Sequence, residues 1–190
     1  KKFGTAMISF SGEDYEFIGA RKESYRSESR KPIVEDGSLE DDQIRRDFTI
    51  NSLSIQLNKD KFGLLIDPFE GKKDLEKKII KTPTDADKTY SDDPLRMMRA
   101  VRFAAQLDFE IEEESYKAII RNAQRLSIIS QERITEELNK IILSAIPSRG
   151  FNILFKTKLL HQFFPEFVKL QGVDRIGKHA HKDNFYHTIE

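Results

Sequence analysis

Residues 91–102, SDDPLRMMRAVR, place one acid and three arginines at spacings that suit ligand binding. Arg96, Arg99 and Arg102 recur every third residue, which brings them within about 120° of one another around a helix. Pro94 suits the first turn of that helix, and an acid just before it can cap the helix. The segment therefore predicts a helix that packs on one side and presents a carboxylate and a row of guanidinium groups on the other.

Asp93 and Arg96 carry the hydrogen-bonding groups needed to read a nucleobase. Adenine and cytosine present a donating amine beside an accepting ring nitrogen, and guanine and uracil present the reverse. A carboxylate accepts from the amine and a guanidinium donates to the ring nitrogen, so this pair can accept C or A and reject G or U. The arginine row suits the phosphates of a nucleoside triphosphate. A capping acid beside a surface arginine is the alternative that spacing alone favours.

A second polar constellation lies in RRDFTIN at residues 45–51. Arg45 and Arg46 can meet triphosphate oxygens, since the guanidinium fork matches phosphate geometry. Asp47 and Asn51 are four residues apart, so on a helix they share a face and can hydrogen-bond a ribose. An ordinary amphipathic helix explains the same polar spacing. Two apolar residues of this segment are expected to face the core: Phe48 and Ile50.

The composition indicates a polar globular protein and sets limits on its chemistry. Of 190 residues, 38% are hydrophobic and 34% are charged, with 32 basic and 32 acidic side chains. The balanced charge argues against a uniformly basic coat for nucleic acid, although local basic patches stay open. Cysteine is absent, which excludes disulfides and thiolate metal sites and fits a reducing compartment, so we expect the cytoplasm. No apolar run approaches the roughly 20 residues of a membrane span.

The pattern of elements changes along the chain. The first part predicts strands over 3–10 and 14–20, a loop over 21–37, a helix over 39–49, a hairpin with its turn at 59–61 and its return strand at 64–66, and a short helix over 72–79. After about residue 90 the strand signals vanish, and helices are predicted over 93–107, 112–124, 130–143 and 147–156, with shorter ones to 170. The fold class is therefore α+β, with a boundary within residues 81–90.

Glu16 and the four histidines are further candidates for metal binding. Glu16 lies within an alternating, strand-like run, where an acid either faces solvent or holds a metal, and one such glutamate is weak evidence. The histidines cluster late in the chain and fit either part of a metal site or, more simply, a surface loop: His161, His179, His181 and His187.

Four segments resemble, in order, the motifs of class II tRNA nucleotidyltransferases, which are the CCA-adding enzymes and their bacterial poly(A) polymerase relatives. The resemblance covers most of residues 3–140 and departs from the family pattern at Ser52 (alanine in the family), Glu70 (the first of two glycines) and Asp92 (glutamate). The matching segments are RRDFTINSL at 45–53, IDPFEGKKDL at 66–75, DDPLRMMRAVRFAAQL at 92–107 and ERITEEL at 132–138.

The resemblance implies a role for each matching residue. Asp93 and Arg96 would read the incoming base, which agrees with the argument from base edges. The other implied roles are triphosphate binding for Arg46, Arg99 and Arg102, contact with the sugar and phosphates for Asp47 and Asn51, the third palm carboxylate for Glu16, and a place in the flexible loop for Asp67.

The resemblance also implies a domain plan. Residues 1–88 would be the C-terminal part of a nucleotidyltransferase palm, or head, with a mixed or antiparallel sheet. Residues 89–172 would form a helical neck that binds RNA. Residues 173–190 would be a linker and the start of an HD-type phosphohydrolase domain, of which His187 would be the first metal ligand.

The implied activity is template-independent addition of C and A to the tRNA 3′ end, from CTP and ATP with Mg²⁺. The family's glycine-rich turn and D-x-D strand, whose aspartates bind magnesium, have no match here, so we expect a fragment that alone does not catalyse. Basic residues of the helical part can meet tRNA phosphates or simply face solvent: Arg121, Arg125, Lys140, Lys156 and Lys158.

Three alternatives stay open at this stage. One is a poly(A) polymerase, or a specialist that adds only CC or only A, because these enzymes share the nucleotide-pocket motifs. The second is a tRNA-binding module without catalysis. The third is an unrelated helical scaffold whose arginine row is a solvated face.

Overall fold

The computed structural model describes residues 4–26, 29–172, 175–176, 179–180 and 183–190. Its strands are β1 (Thr5–Phe10), β2 (Glu13–Ile18), β3 (Arg21–Arg26), β4 (Ser29–Asp36), β5 (Ser54–Ile55), β6 (Leu65–Ile66), β7 (Ile79–Ile80), β8 (Glu110–Ile111), β9 (Arg175–Ile176) and β10 (His179–Ala180). Its α-helices are α1 (Leu39–Ile44), α2 (Gly71–Glu76), α3 (Ala86–Asp92), α4 (Leu95–Leu107), α5 (Glu113–Asn122), α6 (Gln131–Ile142), α7 (Pro147–Lys156), α8 (Leu160–Phe163), α9 (Pro165–Val168) and α10 (Asn184–Ile189).

The strands pair two by two, which confirms the α+β class. The hairpins β1–β2, β3–β4 and β5–β6 and the short pair β9–β10 are antiparallel, whereas β7 and β8 are parallel. The hairpin predicted at 3–20 and the one predicted with its turn at 59–61 and its return strand at 64–66 are confirmed, as are the helices α2 and α4 to α7. Within the described ranges, no helix is long and apolar enough to cross a membrane.

The β7–β8 ladder connects the two parts of the chain. Glu110 donates its backbone N–H to the carbonyl of Lys78 at 2.8 Å, across the segment 81–90. The prediction that strands end near residue 90 was therefore wrong for β8, and also for the short pair β9–β10. A strand of two residues is too short to show an alternating hydrophobic pattern, and only its distant partner in the chain defines it.

The predicted loop over 21–37 was also wrong, because the chain forms the β3–β4 hairpin there. Arg21 lies opposite Asp36 and Lys22 lies opposite Glu35. Opposite charges across an antiparallel pair stabilise it, so this hairpin needs no continuous apolar face. The hydrophobic pattern that normally reveals a strand is correspondingly weak.

The helix predicted over 39–49 ends earlier, at Ile44. Its start is set by Ser38, whose hydroxyl accepts the N–H of Asp41 while the Asp41 carboxylate accepts the N–H of Ser38, which forms a capping box. After the helix, the side chain of Asp47 accepts the backbone N–H of Phe48 at 2.9 Å. Such local bonds compete with helical ones, and the chain continues as a 3₁₀ turn at Thr49–Asn51.

Helix α4 lies at the centre of the helical part and packs against α6 and α7. One side of it is fully buried and apolar: Met97, Met98, Ala100, Val101 and Ala104. The sequence predicts that Met97, Ala100, Val101, Ala104, Ala105 and Leu107 face away from the arginines, and the structure buries all of these except Leu107, which is 43% exposed. The same core includes Phe48, with Ile50 packed against it, and so confirms the prediction for both residues. The motif-bearing segment after α1 is thereby anchored to the helix that carries the arginines.

At the start of α2 the backbone adopts a conformation that suits the glycine of the family pattern better than the glutamate found here. Glu70 has a φ of 56°, the left-handed conformation that favours glycine. The next residue, Gly71, lies so close to the 3₁₀ turn that an added Cβ would lie 2.2 Å from the carbonyl oxygen of Thr49. Helix α2 is therefore held against the segment that follows α1, and the hydroxyl of Thr49 also donates to Asp74 at 2.8 Å.

We expect Gly71→Ala to lower the free energy of unfolding by about 2 kcal/mol, because the new methyl group overlaps backbone that cannot move independently. Urea denaturation measures this change. Gly19→Ala is the matched control, since its Cβ would meet nothing nearer than 3.9 Å. Equal stability of the two variants would contradict the close approach.

Candidate functional site

A cleft of about 690 Å³ opens between the segment that follows α1, the start of α4 and one side of α6. It brings together seven of the residues that the sequence singled out: Arg45, Arg46, Asp47, Asp93, Arg96, Arg99 and Lys140. Its basic side chains outnumber its acidic ones, although the whole chain is neutral. The cleft is therefore a local basic site of the kind that suits a polyanion.

Asp93 separates α3 from α4 and lines the cleft together with Arg96. One carboxylate oxygen of Asp93 accepts the backbone N–H of Leu95 at 3.2 Å, so the acid does cap the helix start. Arg96 is only 9% exposed, and its Nη2 donates to the backbone carbonyl of Arg45 at 2.6 Å. The arginine is therefore not a solvated surface residue, because its guanidinium is anchored across the cleft.

Asp47 connects the segment after α1 to α4. Its Oδ2 accepts from Arg99 Nε at 2.7 Å, and its Oδ1 accepts from the side-chain amide of Asn51 at 3.0 Å. Asp47 and Asn51 therefore do meet, although not on one helix face as predicted, because the chain turns between them. The carboxylate is buried, whereas the Arg99 side chain keeps about one third of its surface exposed toward the cleft.

Asp42 holds both arginines of the RRD segment. Its Oδ1 accepts from Arg45 Nε at 2.9 Å, and its Oδ2 accepts from Arg46 Nη2 at 2.9 Å. Burial alone would raise the pKa of the Asp42 carboxyl, but the bonds from the two arginines outweigh it and hold that pKa below the usual 3.8. Arg46 remains nearly half exposed in the cleft.

Arg102 lies one turn beyond Arg99 and is not among the residues that line the cleft. Its Nε lies 2.8 Å from Oε2 of Glu137 on α6, and its guanidinium lies 4.2 Å above the ring of Phe103. Burial lowers the pKa of Arg102, and the Glu137 carboxylate opposes that shift. In this structure Arg102 connects α4 to α6.

The remaining predicted residues lie elsewhere. Asp67 accepts the backbone N–H groups of Gly71 at 2.7 Å and Lys72 at 3.0 Å, so it caps α2. Glu16 lies on exposed β2, and His187 is exposed on α10. The side chains of His179 and His181 lie outside the described residues.

The described residues do not fit a magnesium site. Mg²⁺ takes oxygen ligands in a tight octahedral arrangement, but no group of three metal-binding side chains comes together in the part of the chain that the structure describes. Glu16 lies across its hairpin from Met7, which offers no oxygen ligand in its side chain.

Sequence reasoning missed several residues of the site. Asp42 could have been found from its spacing, since it precedes Arg45 by three residues and Arg46 by four. Four residues of α6 line the cleft, and only one of them, Lys140, was singled out from the sequence: Arg133, Glu136, Glu137 and Lys140. Nothing in the spacing of α6 itself indicates which of its sides meets α4.

The chain matches known families over most of its length. Residues 1–81 match the family described as the poly A polymerase head domain, and residues 108–170 match the one described as the probable RNA and SrmB-binding site of polymerase A. The CCA-adding enzyme of Pediococcus pentosaceus is 41% identical over 182 residues, which are 94% of this chain and 45% of that enzyme. The chain thus spans less than half the length of that curated relative.

Two solved structures are similar to this one. The Bacillus stearothermophilus CCA-adding enzyme in complex with CTP has a TM-score of 0.72 and 35% identity, over 83% of this chain and 37% of that one. The Thermotoga maritima CCA-adding enzyme complexed with tRNA-CCA has a TM-score of 0.72 and 30% identity, over 87% of this chain and 37% of that one.

We expect Asp47→Asn to lower the free energy of unfolding by about 2 kcal/mol, because it removes a buried, charge-assisted partner of Arg99. Urea denaturation measures the change. Glu70→Gln removes a carboxylate that pairs with Lys73 at the surface, and we expect a change below about 0.5 kcal/mol. If the two variants were equally stable, Asp47 would not anchor α4.

The stability contributed by Asp42 should depend on pH in the acid range. Its folded-state pKa is depressed below 3.8, so its contribution is complete above that value and is lost as the pH falls through the folded-state pKa. The stability difference between wild type and Asp42→Asn should therefore shrink between about pH 6 and about pH 3. Urea denaturation at both pH values measures it, and a constant difference would contradict the ion pairs.

Proposed function

The chain belongs to the nucleotidyltransferase family of CCA-adding enzymes and bacterial poly(A) polymerases, and we propose that the whole protein adds C and A residues to the tRNA 3′ end from CTP and ATP. In this reaction the 3′-hydroxyl of tRNA attacks the α-phosphate, a phosphodiester bond forms and pyrophosphate leaves. The proposal concerns the whole protein, because the chain covers 45% of the curated relative.

Asp93 and Arg96 choose the base in this proposal. The carboxylate of Asp93 accepts from the exocyclic amine of cytosine or adenine, and the guanidinium of Arg96 donates to the adjacent ring nitrogen. Guanine and uracil would place a carbonyl against the carboxylate and an N–H against the guanidinium, which leaves polar groups unpaired at a cost. Protein side chains thereby replace a nucleic-acid template.

Arg46 and Arg99 bind the triphosphate in the same cleft. Each is paired with a carboxylate that also lines the cleft, Asp42 for Arg46 and Asp47 for Arg99, and each is partly exposed. A guanidinium that is fixed in this way loses little freedom when it binds phosphate. The observation that carries the proposal is that these arginines share one cleft with Asp93 and Arg96.

We further propose that Arg102 and Asn51 support this site from the side. Arg102, one turn beyond Arg99 on α4, would add positive charge to the phosphate-binding side of the site. Asn51 would orient the Asp47 carboxylate near the sugar. Asp67 would act through α2, which packs against the segment that contains Asn51.

The helical residues 89–172 form the tRNA-binding part in this proposal, and residues 173–190 lead into an HD-type domain that would contain His187. Among the basic candidates, Lys156 and Lys158 are exposed. The other three have partners within the protein: Arg121 with Asp87, Arg125 with the Ser91 carbonyl and Lys140 with Glu137.

Nucleotidyltransferases of this family use a divalent metal, and we propose Mg²⁺ for the whole protein, with Glu16 as one ligand. The described residues do not assemble a metal site. In this proposal their contribution is base choice and phosphate binding. The absence of cysteine from the sequence supports a reducing compartment, and we propose the cytoplasm.

The full-length protein tests this activity with tRNA that ends before CCA. We expect extension by C with CTP alone and completion of CCA with CTP and ATP together, measured on a sequencing gel. Long adenosine tails with ATP alone would instead identify a poly(A) polymerase, which the matching family descriptions also name. Binding of tRNA without extension would indicate a binding module.

We expect Asp93→Asn in the full-length protein to reduce the preference for CTP over UTP by at least about tenfold, because an amide can donate to the uracil carbonyl that a carboxylate repels. Asparagine keeps the helix cap, so folding should be preserved. Competition between the nucleotides in the extension assay measures the preference. Asp60→Ala, at an exposed site outside the cleft, is the control, and an unchanged preference in Asp93→Asn would contradict base reading by this residue.

A further inference from the structure

Asp42 connects two parts of the site that are separate in the chain, the RRD segment that follows it and the start of β3. Its Oδ1 accepts from Arg45 and, at 3.4 Å, from the backbone N–H of Arg21 at the start of β3. Its Oδ2 accepts from Arg46 Nε at 3.2 Å and from Arg46 Nη2 at 2.9 Å. Asp42 is 7% exposed, so its own side of these bonds is shielded from water and the bonds are stronger than between two exposed groups, although Arg46 is nearly half exposed.

Arg45 transmits this constraint to the base-reading arginine. Its guanidinium is held on one side by Asp42 and on the other by Glu23 of β3, at 3.2 Å. Its backbone carbonyl accepts the 2.6 Å bond from Arg96 Nη2. Because the guanidinium is a rigid planar fork, a bond at one of its donors restricts the directions in which the remaining donors can point. The position of Arg45 therefore limits how Arg96 can present its other donors.

We propose that Asp42 is a positioning residue that determines nucleotide selectivity, acting on Arg96 through Arg45 and on Arg46 directly. This proposal rests on the proposed function of the cleft. Asp42 fixes the carbonyl that orients the base-reading guanidinium, and it also aims a phosphate-binding guanidinium into the same cleft. One buried carboxylate thus fixes the positions of the base-reading and phosphate-binding guanidinium groups relative to each other.

A purely structural role for Asp42 predicts a different result. General loosening of the fold would lower kcat/KM for all four nucleotides by a similar factor, because the fraction of competent protein falls equally for each. A positioning role changes the ratio between nucleotides, since only the orientation of Arg96 distinguishes C and A from U and G.

The test compares Asp42→Asn with wild type in the full-length protein, using CTP, ATP, UTP and GTP separately with tRNA that ends before CCA. Asparagine has the same shape but lacks the charge that holds two guanidinium groups. We expect the ratio of kcat/KM for CTP over UTP to fall about tenfold, and the KM for CTP to rise.

Asp41→Asn is the matched control. The Asp41 carboxylate is next to Asp42 in the chain, but it accepts from the backbone N–H and the hydroxyl of Ser38 rather than from Arg45 or Arg46. The selectivity of this variant should equal that of wild type. Glu23→Gln removes the other carboxylate that holds Arg45 and leaves Asp42 in place, so it should lower the same ratio by a smaller factor. If Asp42→Asn does not fold, the ratio measured for Glu23→Gln tests the positioning role instead.

The outcomes separate this proposal from the proposed function. If wild type shows no preference for CTP and ATP, the proposed function fails. If wild type is selective but Asp42→Asn or Glu23→Gln folds with the wild-type ratio, Asp42 is not a positioning residue and the function still stands. An equal loss with all four nucleotides likewise overturns the proposal.

Discussion

Asp47 and Arg99 lie 52 residues apart in the chain, yet Arg99 Nη2 lies 2.6 Å from Oδ2 of Asp47. This ion pair sets the distance between the segment after α1 and helix α4, which form two walls of the cleft. Beneath it, the rings of Phe48 and Phe103 meet edge to face at 5.8 Å between centroids, and apolar packing thus reinforces the charged contact. The base-reading and phosphate-binding groups depend on this junction for their relative positions.

The second constraint is that buried or half-buried arginines need partners, because an unpaired charge away from water is costly. Each arginine proposed to act on a nucleotide meets this need with a carboxylate or a carbonyl of the protein. The partners also orient the guanidinium groups before a ligand arrives. Stability and preorganisation therefore come from the same contacts, and a chain of zero net charge can in this way line a cleft with more basic than acidic side chains.

Much of this site could be predicted from the sequence. The spacing of Arg96 and Arg99 after Pro94 predicted helix α4 and most of its buried side, because helical periodicity is a local property. The end of α1 could not be predicted, since it depends on a side-chain bond of Asp47 that competes with the helix. The partner of Arg102 could not be predicted either, because it depends on how α6 packs against α4.

The most direct test of the account is a crystal structure of the full-length protein with CTP. The account predicts that the exocyclic amine of cytosine lies within hydrogen-bond distance of the Asp93 carboxylate and that its ring nitrogen accepts from the Arg96 guanidinium. The triphosphate would lie against Arg46 and Arg99. A cytosine that lies outside this cleft, or that contacts neither Asp93 nor Arg96, would contradict it.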